Sequence, residues 1–226
     1  MAQNRYQNHT TSRDAAWEAL LRSGVNTCPI DLAKACKALR IATHRYQTNI
    51  HLMDALGVID MTQSDGFSVR KDGRWHIFYR ETSDGRRDRV VVTHELGHII
   101  LKHRTTTRPS PVGSLQCFVR NDELLEDEAN MFAARFLVPA VICWGLYRTS
   151  DVAMIQSIFD VPEDLATERS DRLGELYERE RVLLNHGKQR PFLMSRLERC
   201  VYNQFAAWII QRNKLSADRR FDYFQR

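Results

Sequence analysis

The run Val90-Val91-Val92-Thr93-His94-Glu95-Leu96-Gly97-His98-Ile99-Ile100-Leu101 decides how this chain reads, because it sets two histidines one helical turn apart on an apolar helix. A helix advances about 100° per residue, so His94 and His98 share a face and can converge on one metal ion, with Glu95 beside them near any water bound there. Val90, Val91, Ile99, Ile100 and Leu101 make the helix apolar on most sides, as expected of a buried site helix. A short pattern with three fixed positions also arises by accident, and a helical histidine is often only a packed side chain, so the reading calls for a further ligand.

A catalytic zinc takes three protein ligands and keeps a fourth position for water. Residues 122–138 have helical periodicity, with Leu125, Ala129, Phe132, Ala133 and Phe136 as the apolar stripe. Glu126 borders that stripe. Asn130 follows it by one turn, placed to hydrogen-bond a ligand histidine and hold its tautomer. Glu128 is the rival ligand, and periodicity leaves both carboxylates open while leaning to Glu126. Asp122, Glu123 and Asp127 read instead as the solvated acidic start of a helix. His103 is a weaker rival, since five residues past His98 it points roughly 140° away on a continuing helix, and the Gly-containing extension that brings in a third histidine is absent. Small Ala129, Ala133 and Ala134 permit the two helices to approach closely.

His94-Glu95-Leu96-Gly97-His98, then Glu126-x-x-Ala129-Asn130-x-Phe132-Ala133, then Leu137-Val138-Pro139 resemble the ImmA/IrrE family of metallo-endopeptidases. Residues 16–21 and 29–34 are similar to the helical entry of its phage and mobile-element members. Leu137-Val138-Pro139 departs from the Leu-Met-Pro of many relatives by one conservative substitution. The resemblance implies a zincin-like core of the gluzincin type. It selects Glu126 over Glu128 as the third ligand, so that Zn2+ is held by His94, His98 and Glu126, with Asn130 behind them. Glu95 then takes a proton from water and passes it to the leaving amine. It also implies a protein substrate, a helix-turn-helix transcriptional repressor usually encoded next door, whose cleavage derepresses a mobile element, prophage or stress response. The alternative is a zinc-binding, non-proteolytic regulator acting by protein or DNA contact.

The expected fold class is α+β, mostly helical, with a small antiparallel sheet. Trp17, Leu20 and Leu21 form a helical stripe ended by Gly24, and Pro29 fits the first turn of a second helix carrying Leu32, Cys36 and Leu39. Phe67-Ser68-Val69 and Trp75-His76-Ile77-Phe78-Tyr79 flank Asp72-Gly73, a strong hairpin signal. In zinc peptidases of this general shape such a strand lies along the cleft and pairs with an extended peptide. His76 and Tyr79 are candidates to stabilise a developing oxyanion, as is His186; the exposed polar face of a hairpin also accounts for the first two.

At 226 residues, 43% hydrophobic and 27% charged, the chain can bury one real core plus a small appendage. The apolar stretch 136–147 is interrupted by Pro139 and falls short of the ~20 residues of a spanning helix, and no apolar signal segment opens the chain. The expectation is a cytoplasmic protein with no membrane partner. Five cysteines, with no Cys-x-x-Cys pair, argue against a disulfide framework and a zinc ribbon. Cys117 falls between the two metal helices, where an inert small apolar residue is favoured over a regulatory thiol.

From residue 168 onward, 13 Lys or Arg face 8 Asp or Glu, an excess of five that equals the net charge of the whole chain. A basic C-terminal unit can meet DNA, an acidic partner or an acidic surface. The expected division is 1–145 for the peptidase domain and 146–226 for a helical C-terminal domain. Residues 152–159, the turn Asp160-Val161-Pro162 and residues 163–169 resemble a degenerate helix-turn-helix. Yet Glu163, Asp164 and Glu168 put negative charge where a recognition helix meets phosphates, which favours protein recognition over DNA binding. Leu197, Val201, Phe205 and Ile209, with Ile210 at the border, form a last stripe able to dock on the body.

Overall fold

The computed structural model describes the backbone of residues 2–118, 122–146, 151–185 and 195–224, and the side chains of 11–118, 122–146, 151–179 and 195–215. His186 lies outside the described residues. The order of elements is α1 (Ala2–Ser23), α2 (Leu32–Ala38), β1 (Ile41–Arg45), α3 (Ile50–Leu56), a 3-10 turn (Ile59–Gln63), β2 (Gly66–Lys71), β3 (Arg74–Tyr79), α4 (Gly85–Leu101), β4 (Thr105–Ser110), β5 (Gly113–Phe118), α5 (Glu123–Leu137), α6 (Ala140–Gly145), α7 (Val152–Phe159), α8 (Glu163–Asn185) and α9 (Arg196–Phe224).

Helices therefore predominate over one five-stranded sheet, ordered β1-β3-β2-β5-β4. The expected hairpin is β2–β3. Asp72 and Gly73 both take positive φ, 49° and 78°, the requirement of a tight hairpin turn whose twist matches its strands. The sheet is mixed rather than antiparallel, because β1 runs parallel to β3 from Ile41 opposite Trp75 to Arg45 opposite Tyr79. The hairpin is also interior: β3 lies between β1 and β2, and β5 joins β2 at Val69 and Arg70. Its strands thus have neighbours on both sides, and the outer strands are β1 and β4.

Strand alternation divides the apolar residues between the two faces of this sheet. Phe67, Val69, Phe78, Leu115 and Cys117 join Tyr46, Met53, Leu56 and Val58 in a smaller cluster. Ile77, with Trp75 and Tyr79 packed against it, belongs to the main cluster beneath α1, α4 and α5. Trp17 and Leu20 of α1 are wholly or almost wholly buried there. Pro29 lies before α2 rather than in its first turn. That helix starts at Leu32, capped by Asp31, whose carboxylate accepts the Lys34 N–H at 2.9 Å.

Ile155, Phe159, Leu165, Leu173, Val201, Phe205 and Ile209 of the C-terminal helices enter the same main cluster as α4 and α5. One apolar core thus runs across the expected boundary at 145. The two helices and turn expected over 152–169 are present as α7 and α8, although α8 continues to Asn185. On α9, Val201, Phe205 and Ile209 face inward and Ile210 is exposed. The end of α7 and the acidic start of α8 are tied to the body: Arg86 reaches Asp160 at 3.1 Å, and Arg87 reaches Asp164 at 2.8 Å. None of the described helices is long and apolar enough to cross a membrane.

Candidate metal centre

Helix α4 is fixed at both ends. Asp84 caps its start by accepting the Arg86 N–H at 3.0 Å, while Lys102, in the left-handed conformation at φ 58°, ends it. Arg89 donates to the backbone carbonyls of Ile30 and Asp160, anchoring the first turns to neighbouring loops. The side of α4 that carries Gly97 lies against α5. A Cβ built on Gly97 would stand 3.2 Å from the Ala129 Cα and 3.2 Å from its carbonyl oxygen, so the missing side chain sets the closeness of the helices.

That closeness brings three side chains of the two helices together. His94 Nε2 lies 3.0 Å from His98 Nε2 and 3.0 Å from Glu126 Oε2, while His98 Nε2 lies 3.5 Å from Glu126 Oε1. One ligand atom from each of the three falls within 4.8 Å of the others. Two imidazole nitrogens and a carboxylate oxygen are the donor types of a catalytic zinc with one position left open. The surrounding cavity is lined by Met61, Ser68, Glu95 and Phe118 besides these three.

Asn130 stands where periodicity put it, its Oδ1 accepting the Nδ1–H of His94 at 2.8 Å. Glu95 is buried, and Ser68 Oγ donates to its Oε2 at 2.7 Å. Phe118 closes one side, its ring stacked 4.8 Å from that of Trp75 and tilted against that of His98 at 5.3 Å. Burial holds the His98 imidazole down to about 4, with the neighbouring His94 adding to the effect. For His94 burial acts the same way, but the Glu126 hydrogen bond and the Glu95 charge outweigh it and raise its proton affinity.

The structure does not bring His76 to this cavity. It pairs with Val69 across the hairpin and with Ala42 of β1, on the sheet face of the smaller cluster. Its Nδ1 lies 3.0 Å from the Nε2 of His44. Tyr79 is on the helix-facing side of the sheet, but its hydroxyl accepts from Arg45 Nε at 3.2 Å and is not among the cavity-lining groups.

His103 and Glu128, weighed as ligands, have a different position. Helix α4 stops at Leu101, and the left-handed Lys102 turns the chain back so that the His103 N–H bonds the His98 carbonyl at 3.1 Å. The ring therefore returns to His98 instead of pointing away, with the two Nδ1 atoms 2.8 Å apart. Its Nε2 meets Glu128 Oε2 at 3.1 Å. Ser68 was missed by sequence reasoning because a serine within a strand carries no spacing signal toward a helix that follows it. Cys117 is buried in β5, and all five cysteines are free thiols; burial pushes Cys36 and Cys143 up to about 12.

A family model described as the IrrE N-terminal-like domain, a peptidase family, matches residues 23–143. That span includes every side chain of the metal cluster and its supports. No curated protein matches the chain.

Proposed function

The chain belongs to the peptidase family defined by the IrrE N-terminal-like domain, and on that premise we propose that it is a zinc-dependent, site-specific endopeptidase. The observation that carries the reading is the convergence of His94 Nε2, His98 Nε2 and Glu126 beside a buried Glu95. The reading extends to a zincin-like core, in which α4 and α5 supply the ligands.

His94, His98 and Glu126 would hold the ion, and their donor chemistry fits it. A zinc ion there supplies Lewis acidity toward the scissile carbonyl and acidifies water. Glu95 accepts the proton of the attacking water and later delivers it to the leaving amine nitrogen, so one carboxylate serves as base and then as acid. Ser68 donates to one oxygen of that carboxylate and so helps to orient it for proton transfer. Asn130 holds His94 with its Nε2 turned to the cluster. Phe118 walls the cavity beside the ligands and limits water on that side.

The proposed substrate is a helix-turn-helix transcriptional repressor, and the proposed outcome is derepression of a mobile element, prophage or stress response in the cytoplasm. Family likeness supports this substrate. The helix-turn-helix-like pair α7–α8 is assigned to protein recognition rather than DNA, since Glu163, Asp164 and Glu168 put negative charge on the helix that would meet phosphates, and the Asp164 carboxylate is engaged by Arg87 of the body. The test is to incubate the zinc-loaded full chain with the repressor encoded beside it and resolve the products on a gel, with Glu95→Gln as control. One discrete cut by the unaltered chain only is expected. An intact repressor with zinc bound, or a biological effect retained by Glu95→Gln, would favour regulation by contact instead.

A further inference from the structure

We propose that His103 and Glu128 act as a positioning relay that fixes the tautomer of His98 and so decides which of its nitrogens is offered to a metal. The inference rests on the reading of His98 as a ligand. The relay begins at Glu128 on α5, whose side chain is 19% exposed against 3% for that of His103. A carboxylate can only accept, so the 3.1 Å contact requires the proton to sit on His103 Nε2. A neutral imidazole carries one N–H, and His103 Nδ1 is therefore a bare acceptor. It stands 2.8 Å from His98 Nδ1, which must then be the donor. With its proton committed to Nδ1, His98 has a free lone pair on Nε2, the atom that lies 3.0 Å from His94 Nε2 and 3.5 Å from Glu126 Oε1.

The opposite tautomer of His98 would place a hydrogen where the three ligand atoms converge. His94 solves the same problem by a shorter route, giving its Nδ1 proton to Asn130 Oδ1. Helix α5 thus supplies one ligand and two tautomer supports, Glu126 directly, Asn130 across one hydrogen bond and Glu128 through His103. Partners of this kind raise ligand basicity, and their loss typically costs about 10- to 100-fold in metal affinity. Electrostatic pairing alone, with no tautomer control, is the competing role for Glu128 and His103, and the two differ in what an acceptor at position 103 can restore.

The experiment uses the full chain with 15N-labelled histidine. Two-bond 15N–1H correlation on the metal-free protein should show His98 protonated at Nδ1 and His103 at Nε2. His103→Leu and Glu128→Ala should move His98 toward the Nε2–H form and weaken binding of Zn2+, measured by competition with a chromophoric chelator, by about 10- to 100-fold. His103→Asn, whose amide oxygen can take the place of the Nδ1 acceptor, should restore both more fully than Leu; circular dichroism identifies any variant that has lost its fold. A wild-type His98 already protonated at Nε2, or variants that bind Zn2+ as tightly as wild type with His98 unchanged, overturns the relay and leaves the ligand assignment standing. Failure of wild type to bind Zn2+ overturns the ligand assignment instead, and the metal-free correlation still decides the tautomer.

Discussion

Ser68 Oγ donates a 2.7 Å hydrogen bond to Glu95 Oε2, joining the central strand β2 to the helix that carries the metal cluster. Both side chains are buried, so the bond holds the carboxylate against rotation and withdraws charge from one of its oxygens. A hydrogen bond to a charged group contributes about 1.5–3 kcal/mol, and its loss removes that restraint on Glu95. Ser68→Ala should therefore lower kcat by roughly 10- to 100-fold while leaving metal affinity unchanged. Steady-state cleavage beside a metal titration checks this, and a Ser68→Ala protein with unaltered kcat would refute the role.

The two carboxylates of α5 that compete in the sequence should separate cleanly by metal binding. Glu126 offers its oxygens at 3.0 and 3.5 Å from the His94 and His98 Nε2 atoms, whereas Glu128 pairs with His103. Glu126→Ala removes a proposed ligand and should abolish stoichiometric zinc binding. Glu128→Ala should leave a measurable site, weakened by about 10- to 100-fold. Zinc content after dialysis against a weak chelator distinguishes them, and equal losses would reverse the ranking.

The parts legible in the sequence are those where one period or one turn fixes the geometry. His94 with His98, Glu126 with Asn130, and the Asp72-Gly73 hairpin each rest on spacing within a single element. What escaped depends on other elements. Strand β1 is five residues long with only Ile41 fully buried, and β4 is a polar outer strand, so neither shows the apolar alternation that marks a half-buried strand. His103 departs from the helical period of α4 because the helix ends at Leu101, where a lysine takes the left-handed conformation that glycine usually marks. The division expected at 145 rests on the helix-turn-helix-like pattern and basic charge beyond it, whereas apolar residues on both sides of that position share one cluster.

Gly97 makes the distance between α4 and α5 testable. A methyl group there meets the Cα and carbonyl oxygen of Ala129 at 3.2 Å and the Phe132 ring at 3.2 Å, and two of these are backbone atoms that yield only if α5 moves. Overpacking of this kind costs about 1–3 kcal/mol. The displaced helix also carries Glu126 and Asn130, so Gly97→Ala should lower both the melting temperature and the zinc affinity. Thermal melts with and without zinc check this, and a variant that melts normally and binds zinc normally would show that the helices have slack.

Acid should destabilise the metal-free protein well above the range in which carboxylates protonate. Burial is the first cause holding His98 down to about 4, and it also lowers His44, His76 and His103 from the ordinary value of about 6.5. Below about 6.5 the unfolded chain binds protons that these native histidines refuse, so stability falls as pH drops toward about 4. His94 has the opposite sign: burial opposes its proton, but the bond to Glu126 and the Glu95 charge outweigh it, so its contribution is full below about 6.5 and fades as pH rises through its higher native value. Four groups against one give a net loss, and melting in chelator should occur at lower temperature at pH 5 than at pH 7. Because His94 must lose its proton before it can bind a metal, zinc affinity should already decline in mildly acidic buffer. A melting temperature that stays level or rises on acidification would mean that the His94–Glu126 pair dominates the proton balance of the core.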